Sequence, residues 1–175
     1  MTAQTTLPRV IAGASAGIGL ALTTQWLSEG HAVIAVSRNA TRSEALSRLG
    51  SEYTHLQCMD ADLTDDQQIS ALGHRLQQQP SALGHIVNCA GVLHDAEHKL
   101  RPEKRLEDIR ADSLLQSFQL NAFAPILLAR HLLPLMGTAQ HGVFASLSAR
   151  VGSISDNRLG GWYSYRAAKA AQNQL

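Results

Sequence analysis

The chain has 175 residues, of which 45% are hydrophobic, and its formal net charge at neutral pH is +1. This length is enough for one domain with a buried core, and the balanced charge argues against a nucleic-acid-binding surface. Cys58 and Cys89 form no metal or redox motif, so we expect a reducing, cytoplasmic compartment. The longest apolar stretch, residues 122–136, carries Arg130 and His131, which argues against a membrane span.

Short apolar runs alternate along the chain with longer amphipathic segments. The predicted strands are Val10–Ala12, Ala32–Val36, Thr54–Met59, His85–Val87 and Val143–Leu147. The predicted helices are Ile18–Glu29, Thr41–Leu49, Leu63–Gln78, Ser113–Met136 and a segment from Tyr163 onward. This alternation predicts an α/β fold, a doubly wound parallel sheet in three α/β/α layers that forms a single domain over residues 1–175. Ligands of such sheets bind at the carboxyl ends of the strands.

A glycine-rich segment, residues 13–19, follows the first predicted strand and opens the first helix. Gly13 can make the tight turn, Gly17 lets the backbone approach a pyrophosphate, and Gly19 lets the helix pack on the sheet. The helix N-terminus would then face the phosphates. The alternative is a strand–helix turn that needs glycine and binds nothing. The cofactor-binding residues expected in this turn are Gly13, Ser15, Gly17, Ile18 and Gly19.

The end of the second predicted strand reads Ser37-Arg38. A site selective for NAD usually has an acid about 20 residues beyond the glycines, and here that position is Ser37. The guanidinium of Arg38 would instead attract the 2′-phosphate of NADP, unless Arg38 is simply an exposed loop residue. Asp62 and Leu63, just past the third strand, are in a position to flank the adenine.

Tyr165 and Lys169 lie one helical turn apart on the same face of the last predicted helix. A phenol ordinarily has a pKa near ~10, and a nearby cation lowers that pKa toward the range that a general acid/base needs. The fourth residue after Tyr163 is Ala167, which carries no charge, so the pattern favours Tyr165 as the reactive tyrosine.

Taken together, these motifs resemble the short-chain dehydrogenase/reductase family. The matching elements, in family order, are Gly13-x-x-x-Gly17-Ile18-Gly19, Asp62, Asn88-Cys89-Ala90-Gly91, Asn121, Ser148 and Tyr165-x-x-x-Lys169. Residues 152–154 and 160–166 are most similar to the C-factor and sniffer-type carbonyl reductase branch. The resemblance implies a Rossmann-type sheet, a nicotinamide cofactor, here NADP, and interconversion of a small-molecule carbonyl and an alcohol by hydride transfer.

The resemblance also implies a role for each matching residue. Tyr165 would protonate the substrate carbonyl, while Lys169 would lower the pKa of the tyrosine and hold the nicotinamide ribose. Asn88, Ala90 and Gly91 would line the cofactor at the end of the fourth strand.

The serine position departs from the family pattern. The family tends to have a Ser-Ser pair at the end of the fifth strand, with the second serine catalytic, and here the pair is Ser148-Ala149. We expect Ser148 to donate the hydrogen bond to the carbonyl oxygen. Ser146 and Ser153 are the alternatives.

Asn121 lies in a long apolar segment, four residues before Pro125. Proline has no N–H, so the carbonyl of Asn121 should lose its partner within the helix. In the family, an asparagine carbonyl at this position holds a water that continues a proton relay to the lysine. A helix kink that serves packing alone is a compatible alternative.

Residues 94–98 read His-Asp-Ala-Glu-His, which matches a zinc-peptidase pattern. The stretch is polar, runs into Arg101-Pro102 and offers no third ligand on a rigid helix, so we expect no metal site.

Members of the family normally continue beyond the helix that holds the tyrosine, through two more strands and a substrate-binding loop. We therefore expect a truncated domain and no turnover by residues 1–175 alone. The predicted helix 113–136 is a subunit contact in the family, which favours a homodimer or homotetramer. A non-catalytic nucleotide-binding or signalling protein that keeps the fold is the alternative function.

Overall fold

The structure is a computed structural model that describes residues 7–96, 100–137 and 142–175. Within these residues five parallel strands form one sheet in the order β3-β2-β1-β4-β5. The strands are β1 Arg9–Ala12, β2 Val33–Ser37, β3 Leu56–Asp60, β4 His85–Asn88 and β5 Val143–Ser146. The predicted Rossmann-type α/β fold is confirmed.

Outside the predicted segment 113–136, the α-helices begin and end within three residues of the predicted positions. They are α1 Gly17–Ser28, α2 Glu44–Glu52, α3 Asp66–Gln77, α4 Ala111–Phe118, α5 Ala124–Leu132 and α6 Tyr163–Gln174. The helix predicted from Thr41 is instead a short 3₁₀ turn, Ala40–Arg42, followed by α2. The hydroxyl of Ser43 accepts the N–H of Leu46, so α2 begins at Glu44. None of the helices in the described ranges is long and apolar enough to cross a membrane.

The central strands are apolar on both faces because helices cover both sides of the sheet. Val10, Ile11 and Ala12 of β1 are fully buried, and every residue of β2 is buried. The edge strand β3 buries only Met59. Burial in this sheet therefore decreases from its centre to this edge.

The predicted helix 113–136, with its expected irregularity at Pro125, is divided into two α-helices. A π-helical segment, Gln119–Phe123, separates α4 from α5, and a 3₁₀ turn, Leu133–Leu135, follows α5. The N–H of Ala124 donates to the carbonyl of Gln119, five residues earlier. Pro125 follows at once, and since it offers no N–H, regular α-helical bonding could not have continued through it.

The chain divides into two compact units. The first, the nucleotide unit, comprises Met1–Ala90 and Leu128–Ser146, and the second, the tyrosine unit, comprises Gly91–Leu127 and Leu147–Leu175. The sheet and the glycine-rich turn belong to the nucleotide unit, and α6 belongs to the tyrosine unit.

Candidate functional site

The glycine-rich turn of the nucleotide unit is shaped by contacts that only glycine permits. Gly13 has a φ of +80°, and a Cβ at this position would lie 2.7 Å from the nitrogen of Ala90. The N–H groups of Gly13 and Ala14 both donate to the carbonyl of Val36, at 2.8 and 3.1 Å. Gly13 therefore lets the end of β1 approach the segment that follows β4, besides making the predicted turn.

The two later glycines have different roles. A Cβ on Gly19 would overlap the carbonyl oxygen of Gly13, so Gly19 lets α1 pack against the turn. Gly17 has a φ of +54°, and no atom lies within 4 Å of the place that a Cβ would take, so its backbone faces open space. Ala16, the N-cap of α1, contributes no side-chain hydrogen bond, and the first turn carries no acid. The positive end of α1 is therefore left for an anion.

The other two predicted residues of this turn differ in exposure. Ser15 is half-buried, whereas the Ile18 side chain is 68% exposed. The predicted contact of each with a cofactor stays a prediction.

The end of β2 carries two polar side chains to which no residue in the described ranges is hydrogen-bonded. The Ser37 side chain is buried, and its hydroxyl has no hydrogen-bond partner among the described residues. Such a group is costly to bury unless a ligand or water satisfies it. Arg38 is exposed and forms no hydrogen bond or ion pair with any residue that the structure describes. Both groups fit the ribose end of a dinucleotide that carries a 2′-phosphate.

The side chains of Asp60 and Asp62, at and just after the end of β3, form local hydrogen bonds. One oxygen of Asp62 accepts the N–H and the hydroxyl of Thr64, at 2.9 and 2.7 Å, and Leu63 is buried. Asp60 accepts the hydroxyl and the N–H of Thr41, and these bonds hold the pKa of Asp60 below its usual value. This carboxylate is thus committed to the loop after β2.

Asn88, at the end of β4, is buried and bonded at both ends of its amide. Its nitrogen donates to the hydroxyl of Ser146 at 3.0 Å, and its oxygen accepts the N–H of Ala90 at 3.1 Å. The N–H of Cys89 donates to the carbonyl of Ala12, and burial raises the pKa of the Cys89 thiol. Asn88 therefore shapes the turn that precedes Gly91.

In the tyrosine unit, Asn121 lies in the π-helical segment and is fully buried. Its side chain donates to the carbonyl of Val92 at 2.7 Å and accepts the N–H of Val92 at 3.0 Å. It also donates to the hydroxyl of Ser117 at 3.3 Å. A Cβ on Gly91 would lie 3.0 Å from the Asn121 amide oxygen, so Gly91 makes this close packing possible. The predicted role of the Asn121 carbonyl in holding a water stays a prediction.

Tyr165 and Lys169 lie on one face of α6, as predicted, with Lys169 Nζ 5.8 Å from the centre of the Tyr165 ring. Lys169 is only 3% exposed, and its amine donates to the carbonyl of Leu147 and to Gln172 Oε1, each at 2.8 Å. Burial lowers the pKa of Lys169 to about 8. The amine is thus still mostly protonated near neutral pH.

The structure contradicts the expectation that Lys169 lowers the pKa of Tyr165. Burial raises the pKa of the Tyr165 phenol instead, because the charged phenolate is the form that loses solvation. The lysine has its own pKa lowered by the same burial, and its amine is directed to two oxygens of the protein.

Ser148 is exposed, and its hydroxyl donates to Asn173 Oδ1 at 2.6 Å. Asn173 lies eight positions beyond Tyr165, which is about 12 Å along the axis of a helix. Ala149 begins the 3₁₀ turn Arg150–Gly152 as its N-cap. Of the alternatives, Ser153 accepts the N–H of Asp156 at 3.3 Å, and Ser146 accepts from Asn88. Which serine acts on a substrate stays a prediction.

The His-x-x-Glu-His pattern falls partly on residues that the structure does not describe, since Glu97 and His98 lie outside the described ranges. Within those ranges, no three His, Cys, Asp or Glu side chains come together in a way that could hold a metal ion.

Two residues at α6 were missed from the sequence. Gln172 binds the amine of Lys169, and it also donates to the Leu147 carbonyl at 3.3 Å. Glu103 binds Ser164 at the start of α6 although the two residues are 61 positions apart. The i, i+3 spacing of Lys169 and Gln172 could have revealed the first contact, but no local pattern marks the second.

A family model described as short chain dehydrogenase matches residues 9–175. The chain belongs to the short-chain dehydrogenase family. Among curated relatives, it is 28% identical over 167 residues to 1-hydroxy-2-glutathionyl-2-methyl-3-butene dehydrogenase of Rhodococcus sp. strain AD45, covering 95% of this chain and 66% of the relative. It is 26% identical over 141 residues to the NADPH-dependent pterin aldehyde reductase of Arabidopsis thaliana, covering 80% of this chain and 55% of the relative. The chain thus spans between about half and two thirds of the length of these relatives.

Solved structures are similar over nearly the whole chain. A short-chain dehydrogenase/reductase from Burkholderia multivorans with bound NADP has a TM-score of 0.83 and 27% identity, over 97% of this chain and 70% of that one. A carbonyl reductase from Pseudomonas aeruginosa PAO1 in complex with NADP has a TM-score of 0.82 and 29% identity, over the same shares. The carbonyl reductase Sniffer of D. melanogaster, 24% identical with a TM-score of 0.83 over 95% of this chain and 71% of that one, shares the fold.

Proposed function

We propose that this chain belongs to an NADP(H)-dependent oxidoreductase that interconverts a carbonyl and an alcohol, and that residues 1–175 form its NADP-binding domain. The observation that carries the reaction is the pairing on α6, where the buried amine of Lys169 lies 5.8 Å from the Tyr165 ring. The similar carbonyl reductase from Pseudomonas aeruginosa supports carbonyl reduction, and the assignment to the C-factor and sniffer-type branch rests on the motif at residues 160–166.

The residues at the strand ends of the nucleotide unit fit NADP(H). We propose that the N-terminus of α1, with Gly13, Ser15, Gly17, Ile18 and Gly19, binds the pyrophosphate. The unpartnered hydroxyl of Ser37 and the guanidinium of Arg38 would hold the 2′-phosphorylated ribose, because a buried hydroxyl and a free cation suit that group. The proposed contacts to the rest of the cofactor are Asp62, Leu63, Asn88, Ala90, Gly91, Tyr165 and Lys169.

NADPH, when bound, supplies the hydride for reduction of the carbonyl carbon. The Tyr165 hydroxyl donates its proton to the carbonyl oxygen as negative charge develops there. With its raised pKa, the Tyr165 phenol is protonated at neutral pH, which is the form that can donate. Lys169, with a pKa of about 8, remains cationic near neutral pH and would hold the nicotinamide ribose.

Two further residues complete the proposed site. Ser148 would exchange its bond to Asn173 for one to the substrate oxygen, and its exposure leaves it free to do so. The backbone carbonyl of Asn121 would hold a water that returns a proton toward Lys169. The side chain of Asn121 fixes this segment through its two bonds to Val92.

The second candidate function is a non-catalytic nucleotide-binding or signalling protein with the same fold. It is favoured by Ala149 at the family's serine position and by the bond between Ser148 and Asn173, which occupies the neighbouring hydroxyl. This candidate predicts NADPH binding without turnover.

We also propose that the protein is a homodimer or homotetramer through the 113–136 segment. Leu115, Phe123 and Ile126 of this segment are 56%, 43% and 39% exposed, which is typical of side chains that a partner covers. Size-exclusion chromatography with light scattering should give a larger mass for the unmodified protein than for an Ile126→Glu variant.

The test of the proposed function is an assay of the protein expressed from its complete reading frame. NADPH binding is measured by fluorescence titration, and NADPH oxidation is followed with a panel of aldehydes and ketones. Oxidation that requires a carbonyl substrate supports the reductase. Tight NADPH binding without oxidation of any panel member supports the non-catalytic alternative, and absence of both overturns the proposal.

A further inference from the structure

Helix α6 begins without a cap of its own. Its N-cap residue, Trp162, contributes no side-chain hydrogen bond and has a left-handed backbone, with a φ of +51°. Gly160 and Gly161 before it are also left-handed, with φ values of +63° and +65°. This conformation is unfavourable for a tryptophan, and the first N–H groups of a helix need acceptors from elsewhere.

Glu103 supplies those acceptors from a distant loop of the same unit. Its backbone carbonyl accepts the N–H of Trp162 at 2.6 Å. One carboxylate oxygen accepts the N–H of Ser164 at 3.3 Å, and the other accepts the Ser164 hydroxyl. Ser164 is the second residue of α6, the position whose N–H an N-cap side chain ordinarily binds. Glu103 thus accepts the N–H that the N-cap side chain, here Trp162, leaves without an acceptor.

The contact between Glu103 and Ser164 is buried. Glu103 is 3% exposed and Ser164 is 2% exposed, so neither polar group can turn to water. A buried carboxylate is unfavourable unless hydrogen bonds and a positive field compensate for its lost hydration, and a helix N-terminus offers both. A Cβ on Gly161 would lie 3.2 Å from the Glu103 carbonyl oxygen, so glycine lets the two segments approach.

We propose that Glu103 is the cap of α6 and thereby a positioning residue for Tyr165, which follows Ser164 directly. The first backbone hydrogen bond of the helix is donated by the N–H of Arg166 to the carbonyl of Trp162. The N–H groups of residues 163–165 therefore need acceptors from outside the helix. Holding Ser164 fixes the first turn and with it the direction in which the phenol leaves the backbone. Glu103 does not touch the reacting atoms, and this inference rests on the proposed role of Tyr165.

The test compares four variants of the protein: Glu103→Gln, Glu103→Asp, Glu103→Ala and, as a matched control, Glu107→Ala. Glu107 is exposed and lies on the same loop. Glutamine keeps the length, and its amide can accept the Ser164 N–H while donating to the Ser164 hydroxyl. Aspartate keeps the charge but is one methylene too short to reach Ser164. If Glu103 acts as a cap, Glu103→Gln should keep the first turn of α6 and the kcat intact, and Glu103→Asp should not. If only the negative charge of Glu103 mattered, the opposite result would follow.

Three readouts separate positioning from general stability. Amide hydrogen exchange over residues 163–166 should be about fivefold to tenfold faster in Glu103→Asp and Glu103→Ala than in the other two variants. The kcat of carbonyl reduction should fall about tenfold or more in the same pair, while the Kd for NADPH changes less than about twofold. The tyrosinate absorbance assigned to Tyr165, as the difference from a Tyr165→Phe background, should appear at lower pH, because a loosened first turn exposes the phenol.

Two results would overturn the inference. Unchanged exchange over residues 163–166 in Glu103→Asp and Glu103→Ala would show that Glu103 does not cap the helix. Faster exchange with unchanged kcat and an unchanged Tyr165 titration would show that the cap does not position the phenol. Should the unmodified protein lack turnover, the proposed function fails, while the exchange and titration readouts still decide whether Glu103 holds Tyr165. If Glu103→Ala does not fold, the difference between Glu103→Gln and Glu103→Asp in the same three readouts decides whether Glu103 positions Tyr165.

Discussion

The glycine-rich turn and helix α6 differ in how the protein satisfies their polar groups. At the turn, the Ser37 hydroxyl and the Arg38 guanidinium have no partner among the described residues. On α6, Lys169 already donates to two oxygens, and Asn121 in the same unit is bonded through both ends of its amide. A ligand can therefore bind the Ser37 and Arg38 groups without displacing contacts to the described residues, whereas Lys169 has already committed two of its three N–H donors to the protein.

The largest expected effect separates chemistry from binding. Tyr165→Phe removes the proposed proton donor and should lower kcat by about 10²–10⁴-fold. The Kd for NADPH should change little, because the turn of the nucleotide unit is unaltered. Steady-state kinetics and fluorescence titration measure the two quantities.

Tyr163→Phe is the matched control for this prediction, since the same hydroxyl is removed two residues away. It should retain nearly full activity. An inactive Tyr163→Phe variant with an active Tyr165→Phe variant would mean that the tyrosine has been wrongly assigned.

The next prediction concerns the shape of the turn. Gly13→Ala forces a methyl against Ala90 at a left-handed backbone position and should lower the free energy of unfolding by about 3 kcal/mol or more. Gly30→Ala has a similar φ of +84° but open space around the methyl, so it should cost only about 1 kcal/mol. Urea unfolding of both variants measures the difference. Equal losses would show that the close approach to Ala90 contributes nothing.

A third prediction tests whether the free cation at the turn binds the 2′-phosphate. Arg38→Asp should weaken NADPH binding by about 1.5–3 kcal/mol while leaving NADH binding nearly unchanged. Arg42→Asp is the control, because the Arg42 guanidinium already donates to Asn39 at 2.6 Å. Calorimetric titration with both cofactors measures the effect. Equal affinity of the unmodified protein for NADPH and NADH would remove the basis for an NADP site.

The smallest effect concerns the buried amine of α6. The folded pKa of Lys169, about 8, lies below its ordinary value, so the folded protein releases this proton before the unfolded chain does. The free energy of unfolding should therefore contain a contribution that rises between about pH 8 and about pH 10. Lys169→Met should lack this rise, whereas Lys104→Met, at an exposed position, should keep it. Identical pH profiles for the two variants would mean that Lys169 keeps an ordinary pKa.

The same comparison shows which parts of the molecule the sequence could predict. The strands, the helices and the glycine turn follow from hydrophobic period and from residues adjacent in the chain. The strand ends that carry Ser37 and Asn88 were therefore predicted correctly. The irregularity next to Pro125 was predicted, but its π-helical form was not, because Pro125 signals only that regular bonding stops.

The side-chain contacts of the tyrosine unit could not be predicted in this way. Ser148 binds Asn173 across 25 positions, and Glu103 binds Ser164 across 61. Such pairs depend on tertiary packing, and a single sequence carries no period that marks them. The pKa of Tyr165 was mispredicted for the same reason, since burial outweighs the neighbouring cation.

The most direct test of hydride transfer uses NADPH that carries deuterium in place of the transferable hydrogen, with a carbonyl substrate from the panel. Mass spectrometry of the alcohol produced by the unmodified protein and by Tyr165→Phe measures the transfer. We predict one deuterium on the carbinol carbon with the unmodified protein and almost no labelled alcohol with Tyr165→Phe, although both bind the cofactor. Unlabelled alcohol from the unmodified protein, or equal labelling by the two proteins, would contradict hydride transfer assisted by Tyr165.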